Sequence, residues 1–565
     1  MKKILLILFI TSGNLFAQTK ITVDVNNVLK TFQESPLGIN MNYLVDDDSY
    51  LNPATSISQS LSNINVDALR YPGGEKSDNY LWSISPFTSA NPHFATQGDC
   101  NFPNQDARFS DDFITPVDET LDFDEFMVLA NSIDAQPFIV VSGDAHYNDN
   151  CTSPPSLADL ITNATEWVMY ANISNQYNIK YWMIGNESWF SSAYDTATTA
   201  LQYANDLIQF SSAMKSVDPS IKIVANSDAG PWTDSLIQIA GEHLDVLGFS
   251  NYPAFNWVEG YDTYRNGSYS FIEEINSAVT SIGSRAIRII ISEYGPFDLA
   301  GAWENNNTLG HALVGFHMFG DQISFEKVDG AYLWNTRWIN NDTEPKSGFS
   351  ALDNEGNLNA TGKGLAMWGN HLLDNLVFAS NSGFVNSFAS TTSTGEDLNI
   401  FLINRDYSPH STEVEISNYL DLTSPEMSIS QAKLSGTSHT DENPVISEPT
   451  DGLAISENSI SLTLSPSSIH VLKISSSMVT TLANRNAQGE IKLFPNPIQD
   501  KLKICNLPLE ASFIRILTLD GSLLKTFSAL GTTRIISVAD LPAGLYFLQI
   551  AKGDELLKTS KLIKK

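Results

Sequence analysis

Short apolar segments rich in β-branched residues alternate with longer amphipathic stretches between Pro36 and about Arg337. The apolar segments have the length of buried strands, and the stretches between them repeat their apolar residues at helical spacing. Strand and helix repeated eight times predict an α/β fold, a (β/α)8 or TIM barrel. An open doubly wound sheet is the alternative, but neither a GxGxxG sequence nor a P-loop follows any predicted strand. The predicted barrel strands are Leu37–Leu44, Ala68–Pro72, Pro137–Gly143, Tyr181–Glu187, Ile221–Asp228, Val246–Pro253, Ile287–Gly295 and Ala331–Arg337.

The pattern changes after about Val377, where short segments alternate apolar and polar residues between turn residues. This period of two predicts an antiparallel β-sandwich. We therefore assign residues 36–375 to the barrel and residues 376–476 to the sandwich. Residues 19–35 are assigned to an N-terminal strand that joins the sandwich.

The first residues have the pattern of a secretory signal peptide. Lys2 and Lys3 precede the apolar run Ile4–Ile10, and small residues follow up to Ala17. This pattern predicts a signal peptide at residues 1–18, and therefore export. No later stretch approaches the roughly 20 apolar residues of a membrane-spanning helix, so we predict no membrane span in the mature chain.

The last part of the chain differs from the rest. A polar linker at residues 477–490 precedes strand-like runs at residues 491–565, with turns at Asp520-Gly521 and Leu541–Gly544. Together with the FPNP sequence at Phe494–Pro497 and the basic end of the chain, this module resembles the C-terminal sorting domain of the Bacteroidetes type IX secretion system. The resemblance implies that the type IX machinery is a partner and that the protein is secreted or held at the cell surface. A sugar-binding β-sandwich is the alternative.

The net charge of the chain limits the kinds of molecule that the protein is expected to bind. The chain of 565 residues has a net charge of −32, yet residues 491–565 contain eleven Lys and Arg against six Asp and Glu. The first 490 residues therefore have a net charge of −37. Such a surface disfavours nucleic acids, anionic membranes and polyanionic substrates, unless a local patch at Arg70, Lys76 and Arg337 compensates.

The three cysteines are too few for a disulfide scaffold. A disulfide between Cys100 and Cys151 is predicted because the chain is expected to be exported, with two free thiols as the alternative. No trio of His, Asp and Glu has convincing metal-ligand spacing. We therefore predict catalysis without a metal or any other cofactor.

Two glutamates stand at the carboxyl ends of predicted barrel strands, where active sites of this fold lie. Glu187 ends the fourth strand and Glu293 ends the seventh, each after a run that should be buried. A carboxylate at the edge of a buried strand is costly unless a function retains it. Strands four and seven face each other across the barrel mouth, so the two carboxylates are expected about 5–5.5 Å apart, the separation typical of retaining glycosidases.

These motifs resemble those of clan A glycoside hydrolases. Asn186-Glu187 and the segment Ile291–Gly295 match the two catalytic positions of the clan, and Leu69–Gly74 is similar to the second-strand motif of family 51 arabinofuranosidases. The continuation Glu75–Asp78 is closer to family 79 glucuronidases and also resembles family 86 agarases. The sixth strand departs from the usual His-x-Tyr with Ser-Asn-Tyr at residues 250–252, which leaves the exact family open.

The resemblance implies a role for each residue of the site. Glu187 is expected to be the acid/base and Glu293 the nucleophile. Arg70 and Tyr252 are the expected donors to Glu293, and Asn186 is expected to bind a sugar hydroxyl. The remaining candidates for substrate binding are Trp334, as a stacking platform, and the strand-end residues Asn42 and His146.

The predicted function is that of a secreted retaining glycoside hydrolase that cleaves a plant or algal polysaccharide by double displacement, similar to an arabinofuranosidase. Two alternatives stay open. One is an endo-hydrolase similar to an agarase, porphyranase or glucuronidase. The other is a surface protein that binds glycans without cleaving them.

Overall fold

A computed structural model describes residues 18–96, 119–148, 154–191, 196–228, 230–252, 257–296, 302–304, 306–337 and 350–476, and further on residues 492–494, 498, 501–505, 513–518, 522–528, 534–539, 541–552 and 555–565. Residues 1–17 of the predicted signal peptide, the predicted linker at residues 477–490, and Cys100 and Cys151 of the predicted disulfide lie outside these ranges. The chain divides into two compact units, Met1–Ser476 and Ser477–Lys565.

Eight parallel strands form a closed barrel, which confirms the predicted fold. Each strand lies inside or next to one of the predicted segments. In chain order the barrel strands are Leu37–Asn40, Ala68–Tyr71, Gln136–Val141, Tyr181–Ile184, Lys222–Ser227, Val246–Asn251, Arg288–Tyr294 and Val328–Leu333.

A helix follows each barrel strand and covers the outside of the barrel. Three of these helices begin with capping boxes in which Asp122, Ser156 and Thr199 each accept a backbone N–H three residues later, as their side chains favour at an N-terminus. The helices are Ile57–Ile64, Phe123–Ser132, Leu157–Val168, Ala200–Val217, Pro231–Ala240, Glu273–Ile282, Leu309–Ile323 and Ala360–Gly369, with shorter ones at Asp48–Leu51 and Tyr261–Arg265.

Side chains fill the interior of the barrel, so the barrel is a packed core and not a pore. Phe138 and Tyr332 are two of these inward residues, and their rings contact each other edge to face. Gly38 on the first strand lies against Tyr332, and a Cβ there would overlap the ring. The inward positions alternate with outward ones along each strand, and this alternation fixes which strand-end residues point into the mouth.

The amino-terminal end of the barrel carries ion pairs that are partly exposed. Arg288, at the start of the seventh strand, lies 2.6 Å from Asp329 at the start of the eighth. Lys215 and Lys222 both contact Asp245, which precedes the sixth strand.

Ten strands form one large sheet beside the barrel. The N-terminal strand lies inside this sheet, antiparallel to Asn375–Ala379 and parallel to His410–Ser417, so the sheet is mixed where a purely antiparallel one was expected. In spatial order the strands are Val445–Ser447, Met427–Ser435, Ser468–Ser476, Asp397–Asn404, Val385–Thr391, Asn375–Ala379, Thr19–Thr31, His410–Ser417, Ser459–Leu464 and Ala454–Ile455.

Part of this sheet is buried on both faces. Along Asp397–Asn404, Ile400 and Leu402 belong to the sheet's own core, whereas Phe401 and Ile403 pack with the barrel core. The helix Leu309–Ile323 lies between barrel and sheet and is buried almost throughout. The barrel and the sheet therefore share a continuous hydrophobic core.

The C-terminal unit is all β in the part that the structure describes. A sheet of three strands and one of four surround a core that includes Ile514, Leu548 and Ile550. The strands are Lys492–Phe494, Lys501–Cys505, Phe513–Leu517, Leu523–Ser528, Arg534–Ser537, Gly544–Lys552 and Glu555–Lys564. Among the described residues of the whole chain, no helix has the length and hydropathy needed to cross a membrane.

Candidate active site

Arg70 is the centre of a buried polar network at the carboxyl end of the barrel. It shares its inward orientation with Ala68, two residues earlier on the second strand. Its Nη1 lies 2.9 Å from Glu293 Oε1 and donates to Asn40 Oδ1 at 2.7 Å. Its Nη2 donates to Asn186 Oδ1 at 2.6 Å. One guanidinium thus connects the ends of strands one, two, four and seven.

Glu293 points into the mouth because the seventh strand contains a β-bulge. Ile290 faces the barrel interior, so simple alternation would turn Ser292 inward and Glu293 outward. The pairing with the sixth strand shifts between Ile291 and Glu293, which reverses that orientation. Glu293 is buried and also accepts a hydrogen bond from the Tyr252 hydroxyl at 2.8 Å. Each carboxylate oxygen therefore has its own donor.

The Tyr252 hydroxyl donates its hydrogen bond to Glu293 because it keeps its proton in this site. Burial and the negative charge of Glu293 raise the pKa of its hydroxyl well above the usual range. The hydroxyl thus retains its proton at any physiological pH. The predicted pairing of Arg70 and Tyr252 with Glu293 is present in the structure.

Glu187 lies on a sharp turn directly after the fourth strand. Gly185 has φ +66° and Glu187 has φ +46°, so the backbone is left-handed on both sides of Asn186. Non-glycine residues adopt this conformation only when surrounding contacts hold it. Asn226, at the end of the fifth strand, provides two such contacts: it donates to Ile184 O at 2.7 Å and accepts from Ser188 N–H at 3.0 Å.

The environment of Glu187 favours its protonated form. Burial of the carboxyl, followed by the negative charge of Glu293, raises the pKa of Glu187 to about 8, against a smaller lowering by the Ser250 hydroxyl. The two carboxylates at the mouth therefore differ: Glu293 is paired with a cation, whereas Glu187 holds a proton at neutral pH. This division suits a nucleophile and an acid.

Asn186 and Trp334 lie beside the carboxylates. Asn186 is buried, and among the described residues its Nδ2 has no hydrogen-bond partner, which leaves a donor for a sugar hydroxyl. Trp334 is buried against Gly74, where a Cβ would overlap its ring. The Lys76 ammonium lies 4.9 Å from the centroid of the same ring. The expected stacking role of Trp334 stays a prediction.

The two remaining candidates are engaged in other contacts. Asn42 Nδ2 donates to Arg337 O at 3.0 Å, between the first and eighth strands. His146 Nε2 lies 3.2 Å from Asp206 Oδ2 on the helix after the fourth strand. The network of Arg70 thus joins Asn186, Tyr252 and Glu293 directly, whereas Asn42 and His146 lie at its sides.

Carboxylates lie beside Arg70, Lys76 and Arg337, the three residues considered above as a local basic patch. Arg70 is paired with Glu293, and Arg337 Nη1 lies 3.7 Å from the buried Asp46. Burial lowers the pKa of Lys76 to about 8, although the nearby charges of Glu293, Glu75 and Asp46 oppose this shift. A polyanionic ligand therefore finds no surplus of positive charge in the described part of the mouth. Within the same residues, no group of three His, Cys, Asp or Glu side chains is arranged to hold a metal ion.

Two residues of the network, Asn40 and Asp78, were not among the predicted site residues. Asn40 holds the strand ends together by donating to Ser292 O at 2.9 Å while accepting from Arg70. Asp78 accepts the backbone N–H of Asn186 at 2.8 Å. Both act through contacts between segments that are far apart in the chain, and only a three-dimensional arrangement reveals such contacts.

Comparison with known proteins agrees with this geometry. Residues 60–267 match the family model of the alpha-L-arabinofuranosidase 1 domain, and residues 492–565 match that of the secretion system C-terminal sorting domain. Alpha-L-arabinofuranosidase C of Emericella nidulans is 26% identical over 187 residues, and the probable alpha-L-arabinofuranosidase C of Aspergillus fumigatus is 27% identical over 181 residues. The first match covers 31% of this chain and 32% of the relative, so the chain spans about a third of that relative's length.

Solved structures match over a much larger region. The alpha-L-arabinofuranosidase of Thermotoga maritima, solved with arabinose, superposes with a TM-score of 0.60 at 18% identity, covering 81% of this chain and 99% of that one. A family 44 xyloglucanase of Paenibacillus polymyxa gives 0.55 at 14% identity, covering 81% and 100%. The barrel and sheet share the fold of these enzymes. The resemblances to an arabinofuranosidase and to a type IX sorting domain are thereby confirmed.

Proposed function

We propose that the protein is a retaining glycoside hydrolase, similar to an arabinofuranosidase, that acts on a plant or algal polysaccharide. The observation that carries the proposal is the pair of unlike carboxylates at the barrel mouth. Glu293 has one donor on each oxygen, from Arg70 and Tyr252. Glu187, close enough to feel the charge of Glu293, has its pKa raised to about 8.

In the first step Glu293 attacks the anomeric carbon and forms a covalent glycosyl-enzyme. The bond from that carbon to the leaving oxygen breaks, and Glu187 gives its proton to the oxygen. Arg70 and Tyr252 fix the direction of the attacking carboxylate. The free Nδ2 of Asn186 is available to a sugar hydroxyl beside the reacting carbon, where it would help to orient the sugar ring.

In the second step Glu187, now ionised, takes a proton from water, and the resulting hydroxide attacks the anomeric carbon. The bond to Glu293 breaks, and its carboxylate returns to the ion pair with Arg70. Burial and the charge of Glu293 together raise the pKa of Glu187, so the loss of that charge in the intermediate lowers this pKa and favours ionisation of Glu187. The same residue can therefore serve first as acid and then as base.

The choice of substrate rests on similarity and on charge. The family match at residues 60–267 favours an arabinose-containing glycan. The balanced charges around Arg70, Lys76 and Arg337 favour a neutral glycan over a sulfated or uronate-rich chain. An agarase-, porphyranase- or glucuronidase-like endo-hydrolase is the second candidate, and its carboxylate chemistry would be the same.

A substrate panel tests the proposal. Arabinan, arabinoxylan, agarose, porphyran and aryl glycosides of arabinose and glucuronic acid are incubated with the wild type and with Glu293→Gln. We expect turnover of at least one substrate by the wild type alone, and retention of anomeric configuration in the first product seen by NMR. Equal behaviour of the two proteins on every substrate would favour a glycan-binding surface protein and contradict the enzyme.

We further propose that the C-terminal unit directs export through the type IX machinery, by which the enzyme is secreted or held at the cell surface. The match at residues 492–565 supports this role. Expression of the full chain and of a chain ending at residue 476 in a bacterium with this system tests it. We expect only the full chain outside the outer membrane, and equal export of both would contradict the role.

A further inference from the structure

The turn that carries Glu187 is held by a carboxylate from another loop. Asp78 follows the short 3-10 turn Glu75–Ser77 after the second strand and is buried. Its Oδ1 accepts the N–H of Asn186 at 2.8 Å. Asn186 lies between the two left-handed residues of the turn, so this bond acts where the backbone is least favourable. The same segment that provides Arg70 to Glu293 thus also supports Glu187.

A second buried carboxyl lies behind the first. Asp144, at the end of the third strand, is buried, and this burial raises the pKa of its carboxyl to about 6 against smaller lowering effects of Ser188, His146 and Asp78. Asp144 Oδ2 lies 3.5 Å from where a Cβ of Gly185 would stand, which places it directly beneath the turn.

The surroundings keep Asp78 in place. The Ser142 hydroxyl donates to its backbone carbonyl. Gly143 meets the same turn closely, since a Cβ there would lie 2.7 Å from Gly185 N. The loops after the second and third strands therefore support the turn that follows the fourth strand and carries Glu187.

We propose that Asp78, backed by Asp144, is a positioning residue that aims the Glu187 carboxyl at the leaving-group oxygen. The inference rests on the proposed function, because it assumes that Glu187 acts as an acid. Neither Asp78 nor Asp144 contacts the reacting atoms. The proposal is that both nevertheless affect one step of the reaction, the transfer of the proton.

The test compares leaving groups. Acid assistance matters for a sugar or methyl leaving group and hardly for 2,4-dinitrophenol, which leaves without a proton. Asp78→Ala is expected to lower kcat/KM on the unactivated glycoside by about 100-fold or more, within the usual contribution of general acid catalysis. Formation of the glycosyl-enzyme from the dinitrophenyl glycoside, followed as the burst of dinitrophenol, should change by less than about threefold. Asp78→Asn retains an oxygen for the Asn186 N–H and should stay close to the wild type on both substrates.

A matched control separates positioning from general destabilisation. Asn172, at the opposite end of the barrel, accepts the N–H of Ile179 at 2.8 Å and is similarly buried. Asn172→Ala removes this bond together with the two bonds that Asn172 Nδ2 donates to Ile179 O and Asp218 Oδ2, so it should lower the melting temperature without changing the ratio of the two rates. Equal losses of Asp78→Ala on both substrates, or the same ratio change in Asn172→Ala, would overturn the proposal.

Asp144 provides a second variant if Asp78→Ala does not fold. Asp144→Ala should show the same selective loss on the unactivated substrate, at about tenfold. An unchanged ratio of the two rates would overturn the role of the pair. The proposed function fails separately, if the wild type itself has no activity on any glycoside.

Discussion

Two arginines on barrel strands make ion pairs of similar length with very different surroundings. Arg70, at the catalytic end, lies 2.9 Å from Glu293, and its side chain has no exposed surface. Arg288, at the opposite end, lies 2.6 Å from Asp329, with 36% and 30% of the two side chains exposed. Charges in a desolvated site interact strongly and shift the pKa values of their neighbours, whereas exposed pairs are screened by water. The two ion pairs consist of the same kinds of residue, so the difference in their electrostatic effect comes from how far water reaches each pair.

The largest expected effect concerns the acid at the catalytic end. Glu187→Ala should lower kcat/KM on unactivated glycosides by about 10²–10⁴-fold, because the leaving oxygen receives no proton. Aryl glycosides with good leaving groups should still form the glycosyl-enzyme, and azide should restore turnover by taking the place of activated water. The measurement is the steady-state rate with and without azide. If azide fails to raise the rate on every activated substrate, Glu187 is not the acid/base.

The stability of the buried pair is the next test. Arg70→Met leaves Glu293 buried without its cation and should lower the free energy of unfolding by about 3–5 kcal/mol. The double variant Arg70→Met/Glu293→Gln removes both charges and should recover part of that loss. Urea titration followed by fluorescence gives both values. If the double variant is less stable than Arg70→Met, the unpaired charge of Glu293 is not the cause of the loss in stability.

The pH dependence tests the raised pKa of Glu187, which is about 8. An acid works only while protonated, so kcat/KM on an unactivated glycoside should fall as pH rises through about 8, by roughly tenfold per pH unit above it. The dinitrophenyl glycoside should lack this fall in the burst rate. Lys76 also has a pKa of about 8, so Lys76→Gln is the control and should keep the fall. A fall centred below pH 6 would contradict the assignment.

The smallest expected effect lies at the opposite end of the barrel. Arg288→Met breaks the exposed pair with Asp329 and should change the free energy of unfolding by about 0–1 kcal/mol, with kcat/KM unchanged. Added salt should shrink the difference from the wild type. A loss comparable to that of Arg70→Met would show that exposure does not separate the two pairs.

The barrel was predictable because its eight strands are short and apolar and are separated by segments with helical periodicity. The residue composition of the strands and the spacing of apolar residues between them therefore indicate the same fold. The inward direction of Arg70 also follows from alternation along its strand. Glu293 was identified from its place at a strand end, but alternation alone gives the wrong direction, since the bulge after Ile291 reverses it. Bulges leave no clear trace in a sequence of β-branched residues.

Contacts between distant segments were the other limit. Asn40 and Asp78 were not predicted as site residues, yet both hold strand ends at the barrel mouth through hydrogen bonds to distant segments. The purely antiparallel sandwich was a reasonable expectation from period-two strands, because the pattern does not encode whether a neighbour runs parallel or antiparallel. The direction of the N-terminal strand depends on which partners it meets in space.

That N-terminal strand has a consequence for how the protein is made. Thr19 pairs with Thr412, and Val23 pairs with both Ala379 and Ile416. Synthesis and export deliver the chain from its amino end, so this strand waits for partners that arrive hundreds of residues later. Until then it is an open edge that invites pairing with other chains. Completion of this sheet therefore requires nearly all of residues 18–476, and a chain that stops before His410–Ser417 leaves the N-terminal strand without its parallel partner.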